Sequence, residues 1–353
     1  MMPDVDGLDL CRRLRSDTDI AGLKIVMVTG RGYDFDRRRA LDLGADGFVT
    51  KPIDPETFMS EIYRIISDDV TLKFWGVRGT LPLPAPSSLR YGSNTSCVSL
   101  SLPKDRFFIF DAGSGIKALS DSLVAGEAER VEASIFISHP HWDHINALPY
   151  FAPLYQQGNH FDIYGADHAD ISLRDLVSAQ MDNVYFPVTV REFGANVVFH
   201  GIGEGTNEIN DVTVRSMFLS HPGNCLGFRV EFGDRAICYV TDNELFPKNS
   251  QRHNPEFRSQ LIKFVTNCDA LITDCCYTAD EYKTKEGWGH SAVEEVVEVA
   301  HEAQVKNLFL YHHEPDQTDD DIAHKLDVSR ALLEGAGSTT RCIAPAEGDA
   351  FTF

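Results

Sequence analysis

The densest chemistry in the sequence lies in Ser138-His139-Pro140-His141-Trp142-Asp143-His144, where three imidazoles and a carboxylate fall within six residues. The segment follows an apolar, β-like run from Ala133 to Ile137. A packed core has no use for so many adjacent polar groups, because each buried one needs a hydrogen-bond or metal partner. Neutral imidazole and carboxylate are the ligands that borderline divalent cations such as zinc take. A solvated His-rich tract or a tag is the competing explanation. Tags do not interleave Trp and Asp or follow a mid-chain strand, so the segment reads as a metal site.

The elements that must position such a site are visible as further apolar runs ending in a carboxylate or imidazole. Arg106–Phe110 ends at Asp111, Val212–Leu219 just before His221, Ala236–Thr241 at Asp242, Ala270–Thr273 at Asp274, and Val305–Tyr311 at His312-His313. Short β-rich runs punctuated in this way read as strands carrying polar groups at their C-terminal tips. Loops held by a rigid sheet commonly carry site residues. One Asp after a strand is ordinary turn chemistry; six such endings in one domain, counting the His-rich segment, point to a shared site.

This arrangement resembles the metallo-β-lactamase fold, an α/β sandwich of αββα layers, over residues 69–353. The resemblance implies one metal held by His139, His141 and His221, and a second held by Asp143, His144 and His312, with Asp242 bridging. His313 is the adjacent alternative to His312. Asp111 is expected to orient the His loop, fixing tautomer and ring direction rather than ligating. His141 stands where the diiron redox branch has Glu, which favours a hydrolytic site with two Zn2+, Mn2+ or Fe being the alternatives. Two further features are similar to the RNase Z-like phosphodiesterase branch. Asp274 falls where that branch has the Glu of a His-Glu-Ala-Thr motif, and Gly287-Trp288-Gly289-His290-Ser291 where it has His-Ser. Phe74–Thr80 and Tyr91–Cys97 also look like phosphodiesterase-type members.

The chemistry expected of that branch is attack on a phosphodiester by a hydroxide bridging two metals about 3.5–4 Å apart. Alongside the ligand Asp143, the catalytic residues would be Asp274 and His290, a pair passing a proton to the leaving oxygen. Asp is one methylene shorter than Glu, which is expected to loosen the pair. Ser291 and Glu294 match a capping box for a helix over 291–303, the non-catalytic explanation for this stretch.

The chain has 32 Lys and Arg against 53 Asp and Glu, a formal charge of −21. Such a field repels polyanions and leaves no electrostatic footprint for an extended nucleic acid. The expected substrate is therefore a small phosphodiester such as a cyclic nucleotide. Arg78, Lys283 and Lys285 are candidate phosphate contacts, with ordinary surface charge as the alternative. Tyr150, Phe151, Tyr155, Phe161 and Tyr164 could wall a base pocket or be core. A metal-dependent thioester or lactone hydrolase, or a metal-site module without turnover, are the other functional readings. No signal peptide or membrane-length apolar run is seen, so a cytoplasmic protein is expected. The eight cysteines lack C-x-x-C spacing and read as reduced, buried thiols.

Residues 1–68 alternate helix and strand in the manner of a parallel α/β sheet: helix 7–16, strand 24–29, helix 34–43, strand 47–50 and helix 55–66. They resemble the C-terminal half of a flavodoxin-like response-regulator receiver domain, with Met2–Gly7 as its M-P-x-x-D-G loop, Thr29 and Phe48 as the switch pair, and Lys51-Pro52. The phosphoacceptor Asp would lie before Met2, so this segment is expected to be part of a longer receiver answering to a sensor kinase, the alternative being a half-domain that packs on the hydrolase or on a second chain. A homodimer through residues 34–66 is expected.

Overall fold

The computed structural model describes residues 6–20, 22–30, 39–126 and 130–353. They form two compact units, a smaller one made mainly of the residues up to Thr71, with Ser101–Arg106 and Thr352 grouped with it, and a larger one made of the rest from Leu72.

In the smaller unit a helix, Gly7–Ser16, is capped by Asp6, whose carboxylate accepts from the Leu8 N–H. Strand β1 (Val26–Thr29) pairs in parallel with β2 (Gly47–Thr50), and a helix at Phe58–Ile66 follows. Cys11, Ile25, Ala40 and Ala45 make its small core. Gly47 is needed where the last helix crosses, since a Cβ there would lie 2.6 Å from Ile65 Cγ2. The strand expected from Lys24 begins at Val26, and the helix expected from Pro55 begins at Phe58. Asp54 accepts from the Glu56 N–H (2.9 Å), so the chain makes an Asx turn before it can coil. Residues 2–5 of the expected loop and 34–38 of the expected helix and dimer face lie outside the described residues.

The larger unit is built on two seven-stranded sheets. One contains β3 (Thr71–Gly76), β4 (Cys97–Leu102), β5 (Arg106–Phe110), β6 (Glu132–Phe136), β7 (His160–Gly165), β8 (Asn196–Gly201) and the C-terminal β16 (Ala350–Thr352). The other runs from β9 (Gly205–Ile209) through β10 (Val212–Phe218), β11 (Leu226–Phe232), β12 (Arg235–Val240), β13 (Ala270–Asp274) and β14 (Asn307–Tyr311) to β15 (Arg341–Ile343). β5 to β8 are mutually parallel, as are β12 to β15, while β9 to β12 are antiparallel.

The sheets face each other through aromatic rings. Phe110 meets Tyr239 at 5.2 Å, Phe136 meets Phe228 at 5.3 Å and Phe74 meets Phe309 at 5.3 Å, each pair joining strands of opposite sheets. Burying a Phe fully is worth roughly 1.5–3 kcal/mol, so this layer is a large part of what holds the sandwich closed. It also fixes the strand tips, because Phe110, Phe136 and Tyr311 lie just before Asp111, Ile137-Ser138-His139 and His312. Helices at Pro255–Val265, Val293–Glu302 and Asp319–Gly335 pack apolar faces on one outer surface; Ile116–Ala125 and Leu173–Ala179 cover the other. The result is the αββα layering expected.

One expectation fails locally. The helix expected from Ser291 begins at Val293, and its N-cap, Ala292, makes no side-chain cap bond. Ser291 is otherwise engaged: its hydroxyl donates to Asn243 O and accepts from the Leu245 N–H. A tertiary contact has claimed the group that local pattern reserved for capping.

Candidate metal centre

Parallel strands release their C-terminal tips at the same end of a sheet, and here five of the tips carry a site group. Asp111 follows β5 and the His-rich segment follows β6; Asp242 follows β12, Asp274 closes β13 and His312 follows β14. Asp111 and His312 take left-handed backbone, with φ of 59° and 55°, a conformation costing non-glycine residues of order 1–3 kcal/mol.

The side chains converge in two overlapping sets. One ligand atom from each of His139, His141, His221 and Asp242 lies within 4.8 Å of the others, and the same holds for Asp143, His144, His312 and Asp242. Asp242 belongs to both. Its Oδ1 lies 3.2 Å from His144 Nε2 and 3.0 Å from His312 Nε2, while its Oδ2 lies 3.5 Å from both His139 Nε2 and His221 Nε2. Asp143 Oδ2 is 3.2 Å from His144 Nε2 and 3.1 Å from His312 Nε2.

The outward nitrogens are held by the protein. Asp111 Oδ2 contacts His144 Nδ1 at 2.7 Å and also accepts from Tyr239 OH and Ser138 Oγ. Gly289 O contacts His221 Nδ1 at 2.8 Å, and His312 Nδ1 lies 3.4 Å from Cys276 Sγ. Two glycines make room for rings: a Cβ on Gly79 would fall 2.2 Å from His312 Cε1, and one on Gly289 (φ 90°) 2.4 Å from His221 Nδ1.

A divalent cation fits this donor set. His139 Nε2 is buried and has no hydrogen-bond partner, a costly state for a ring nitrogen unless something else binds it. Five imidazole nitrogens and two carboxylates facing one another are borderline nitrogen and hard oxygen donors of the kind zinc takes.

Electrostatics divide the cluster. Burial pushes His139, His141 and His221 down, leaving them neutral. Burial would raise Asp143 and Asp242, but neighbouring imidazoles override it and hold both well below the usual carboxylate range. Burial likewise opposes charge on His144, yet Asp242, Asp143 and Asp111 raise it well above an ordinary imidazole.

Beside the cluster, His290 Nδ1 contacts Asp274 Oδ2 at 2.6 Å, and its ring stacks on His312 at 5.1 Å. Against burial, Asp274 raises His290 to about 9. The shorter acid does not loosen the pair as expected. Asp274 is brought close by N–H donors from Asn243, Cys276 and Ser291.

A residue the sequence did not reveal supports this side of the site. Glu244, almost fully buried, accepts from Tyr282 OH (2.6 Å), Gly287 N–H (2.6 Å) and Gly289 N–H (2.8 Å). It thereby anchors the loop that delivers His290. The only sequence signal was an acid two residues past Asp242.

Other candidates are placed elsewhere. His313 points away from the cluster, with Nδ1 3.0 Å from Lys325 Nζ. Arg78 is 1% exposed and donates to the carbonyls of Gly92, Glu314 and Gln317, so it is neither a phosphate contact nor a surface charge. Lys283 pairs with Asp280 in solvent, and Lys285 lies 3.6 Å from Glu314. Phe151 and Phe161 are core; Tyr164 is sandwiched between Phe136 and His200, and exposed Tyr150 meets Phe186, so these residues do not form a base pocket. All eight cysteines are buried, unbridged thiols. Among the described residues no helix is long and apolar enough to cross a membrane.

The profile of the family described as "Beta-lactamase superfamily domain" matches residues 106–313, more than half of the chain, and the chain belongs to that family. At its N-terminus it carries a response regulator receiver segment, matched over residues 1–63. That segment is 42% identical over 66 residues to the phosphate regulon transcriptional regulatory protein PhoB of Rhizobium meliloti (strain 1021), covering 19% of this chain and 29% of that protein. It is 36% identical over 66 residues to the transcriptional regulator RpaA of Synechocystis, covering 19% and 27%. The chain thus spans less than a third of these curated relatives. The larger unit shares its fold with YhfI from Bacillus subtilis, at a TM-score of 0.58 and 20% identity, covering 81% of this chain and all of that one. Human tRNase Z, short form, aligns at 0.55 and 18% identity over 80% and 98% of the two chains, and unliganded yeast PDE1 at 0.58 and 15% over 80% and 99%.

Proposed function

We propose that the chain is a metal-dependent phosphodiesterase acting on a small phosphodiester such as a cyclic nucleotide. His139, His141 and His221 would hold one divalent cation; Asp143, His144 and His312 would hold a second, with Asp242 shared, and Zn2+ suits the donors best. The observation that carries the reading is the Asp274–His290 pair, 2.6 Å apart beside the cluster, which an acyl hydrolase would not need. Its support from comparison is that similar folds include proteins named as a tRNase Z and a diphosphatase.

Bound cations would supply Lewis acidity, making a water nucleophile available near neutral pH and offsetting charge on phosphoryl oxygens. The chain's own task is proton delivery. Asp274 holds His290 through Nδ1, which leaves Nε2 as the face that can donate to a leaving oxygen. Asp111 keeps Nε2 of His144 turned into the cluster, and Gly289 O does the same for His221. The charge of −21 and the absence of any basic arm favour a small substrate over RNA. A sensor kinase acting through a complete receiver, and dimer formation through residues 34–66, belong to the same proposal.

The test is metal analysis of the purified chain with turnover of bis-p-nitrophenyl phosphate, a nucleoside cyclic phosphate, and acyl-ester and lactone controls. His290→Ala should lower cyclic phosphate turnover by roughly 10²–10⁴-fold with metal content retained. The loss should be smaller for p-nitrophenolate, which leaves without a proton. Turnover of acyl esters alone, or a chain that binds no metal, would refute the proposal.

A further inference from the structure

The loop that delivers His290 presents an indole to solvent in a way that packing does not explain. Trp288 is 59% exposed, yet its neighbours Gly287 and Gly289 are each tied by an N–H bond to the buried Glu244 carboxylate. Both glycines adopt left-handed backbone, φ 89° and 90°, so the turn is specific as well as anchored. A rigid loop normally folds its large apolar side chain inward, since hiding an indole is worth far more than leaving it wet. Here the loop holds the ring out. Lys285 Nζ covers one side of the indole at 4.0 Å, which leaves the other open.

The position is as telling as the exposure. Trp288 is two residues from His290, and Gly289 O contacts His221, whose Nε2 lies 3.1 Å from His141 Nδ1. The loop that carries Trp288 therefore adjoins the side of the cluster where His141 meets solvent. Of the other two indoles, Trp75 is buried and donates through Nε1 to Ser99 Oγ at 2.8 Å, whereas Trp142, next to His141 in the chain, is 83% exposed.

We infer that Trp288 is a specificity residue that stacks on a planar aromatic ring of the substrate, so that the phosphodiester is a nucleotide rather than an aliphatic ester. This rests on the phosphodiesterase reading for the identity of the reaction, but the stacking can be measured without turnover. Base–aromatic stacking contributes about 1–3 kcal/mol per base, on the order of five- to 150-fold in affinity.

The experiment is titration calorimetry of the full, metal-loaded chain with AMP and with ribose 5-phosphate, alongside kinetics on a nucleoside cyclic phosphate and on its counterpart lacking the base. The wild-type chain should prefer AMP by on the order of tenfold. Trp288→Ala should erase most of that preference, and the kinetic loss should fall on KM for the base-bearing substrate rather than kcat. Trp288→Phe, which keeps a stacking face, should restore most of it. Equal binding of the two ligands by the wild type, binding of neither, or an AMP preference that survives in Trp288→Ala, would overturn the inference. An AMP preference that depends on Trp288 in a chain without phosphodiesterase activity would sustain the stacking role and refute the hydrolytic reading instead.

Discussion

The two halves of the cluster share Asp242 but are built from different physics. The half formed by His139, His141 and His221 is made of imidazoles that burial keeps neutral, and His141 opens it to solvent. The half formed by Asp143, His144 and His312 is buried on every side. It brings a second carboxylate, and although burial opposes charge on His144, Asp242, Asp143 and Asp111 favour a proton on it. His144 Nε2 can serve as a ligand only after giving up that proton. On the two-cation reading proposed above, the open half would be ready to bind as it stands, whereas the closed half would exchange one positive charge for another.

The sharpest test removes what the halves share. Asp242→Ala should strip both cations and reduce hydrolysis to background, measured by elemental analysis after dialysis together with turnover. His141→Ala should empty only the open half, leaving about half the wild-type metal. If the two variants lost metal equally, the halves would not be separable and the comparison would fail. A step down in size comes from Asp111, which touches no cation-facing atom but orients His144 through the 2.7 Å contact. Asp111→Ala should weaken metal affinity about 10–100-fold, chiefly in the closed half, seen as a second, weaker phase in a chelator competition.

The same contrast marks what could be read from sequence. The His-rich segment was legible because its donors are contiguous, and Asp242, Asp274, His221 and His312 because each follows an apolar run that must be a strand. Glu244 was not, since an acid in Asp242-Asn243-Glu244 has no pattern to separate it from a turn residue. Arg78 differs for a related reason: its guanidinium donates to backbone carbonyls, which have no sequence signature, so a buried cation reads as a loop charge. Ser291 shows the converse, a clear local signal overruled by the carbonyl of Asn243. Trp288 stands out in the sequence only as part of a motif, because exposure cannot be read from residue type.

The smallest effect separates the halves by pH. Asp143 and Asp242 have depressed carboxyl values, so their contribution to stability is present above about pH 3.9 and is lost as pH falls further. His144 and His290 are raised, so theirs is complete below about pH 6.5 and is lost as pH rises, for His290 through about 9. The lowered His139, His141 and His221 have the opposite sign and lose stability as pH falls below about 6.5, so chelated protein should melt at its highest temperature near pH 6.5 and lose a few degrees by pH 9. Zinc-loaded protein should lose less, because a cation has already replaced the proton on His144. Scanning calorimetry with EDTA and with zinc would show this as two curves diverging above pH 6.5. A chelated curve flat from pH 6 to 9 would mean that His144 carries no proton to exchange, and the closed half would then differ from the open one only in burial and in its second carboxylate.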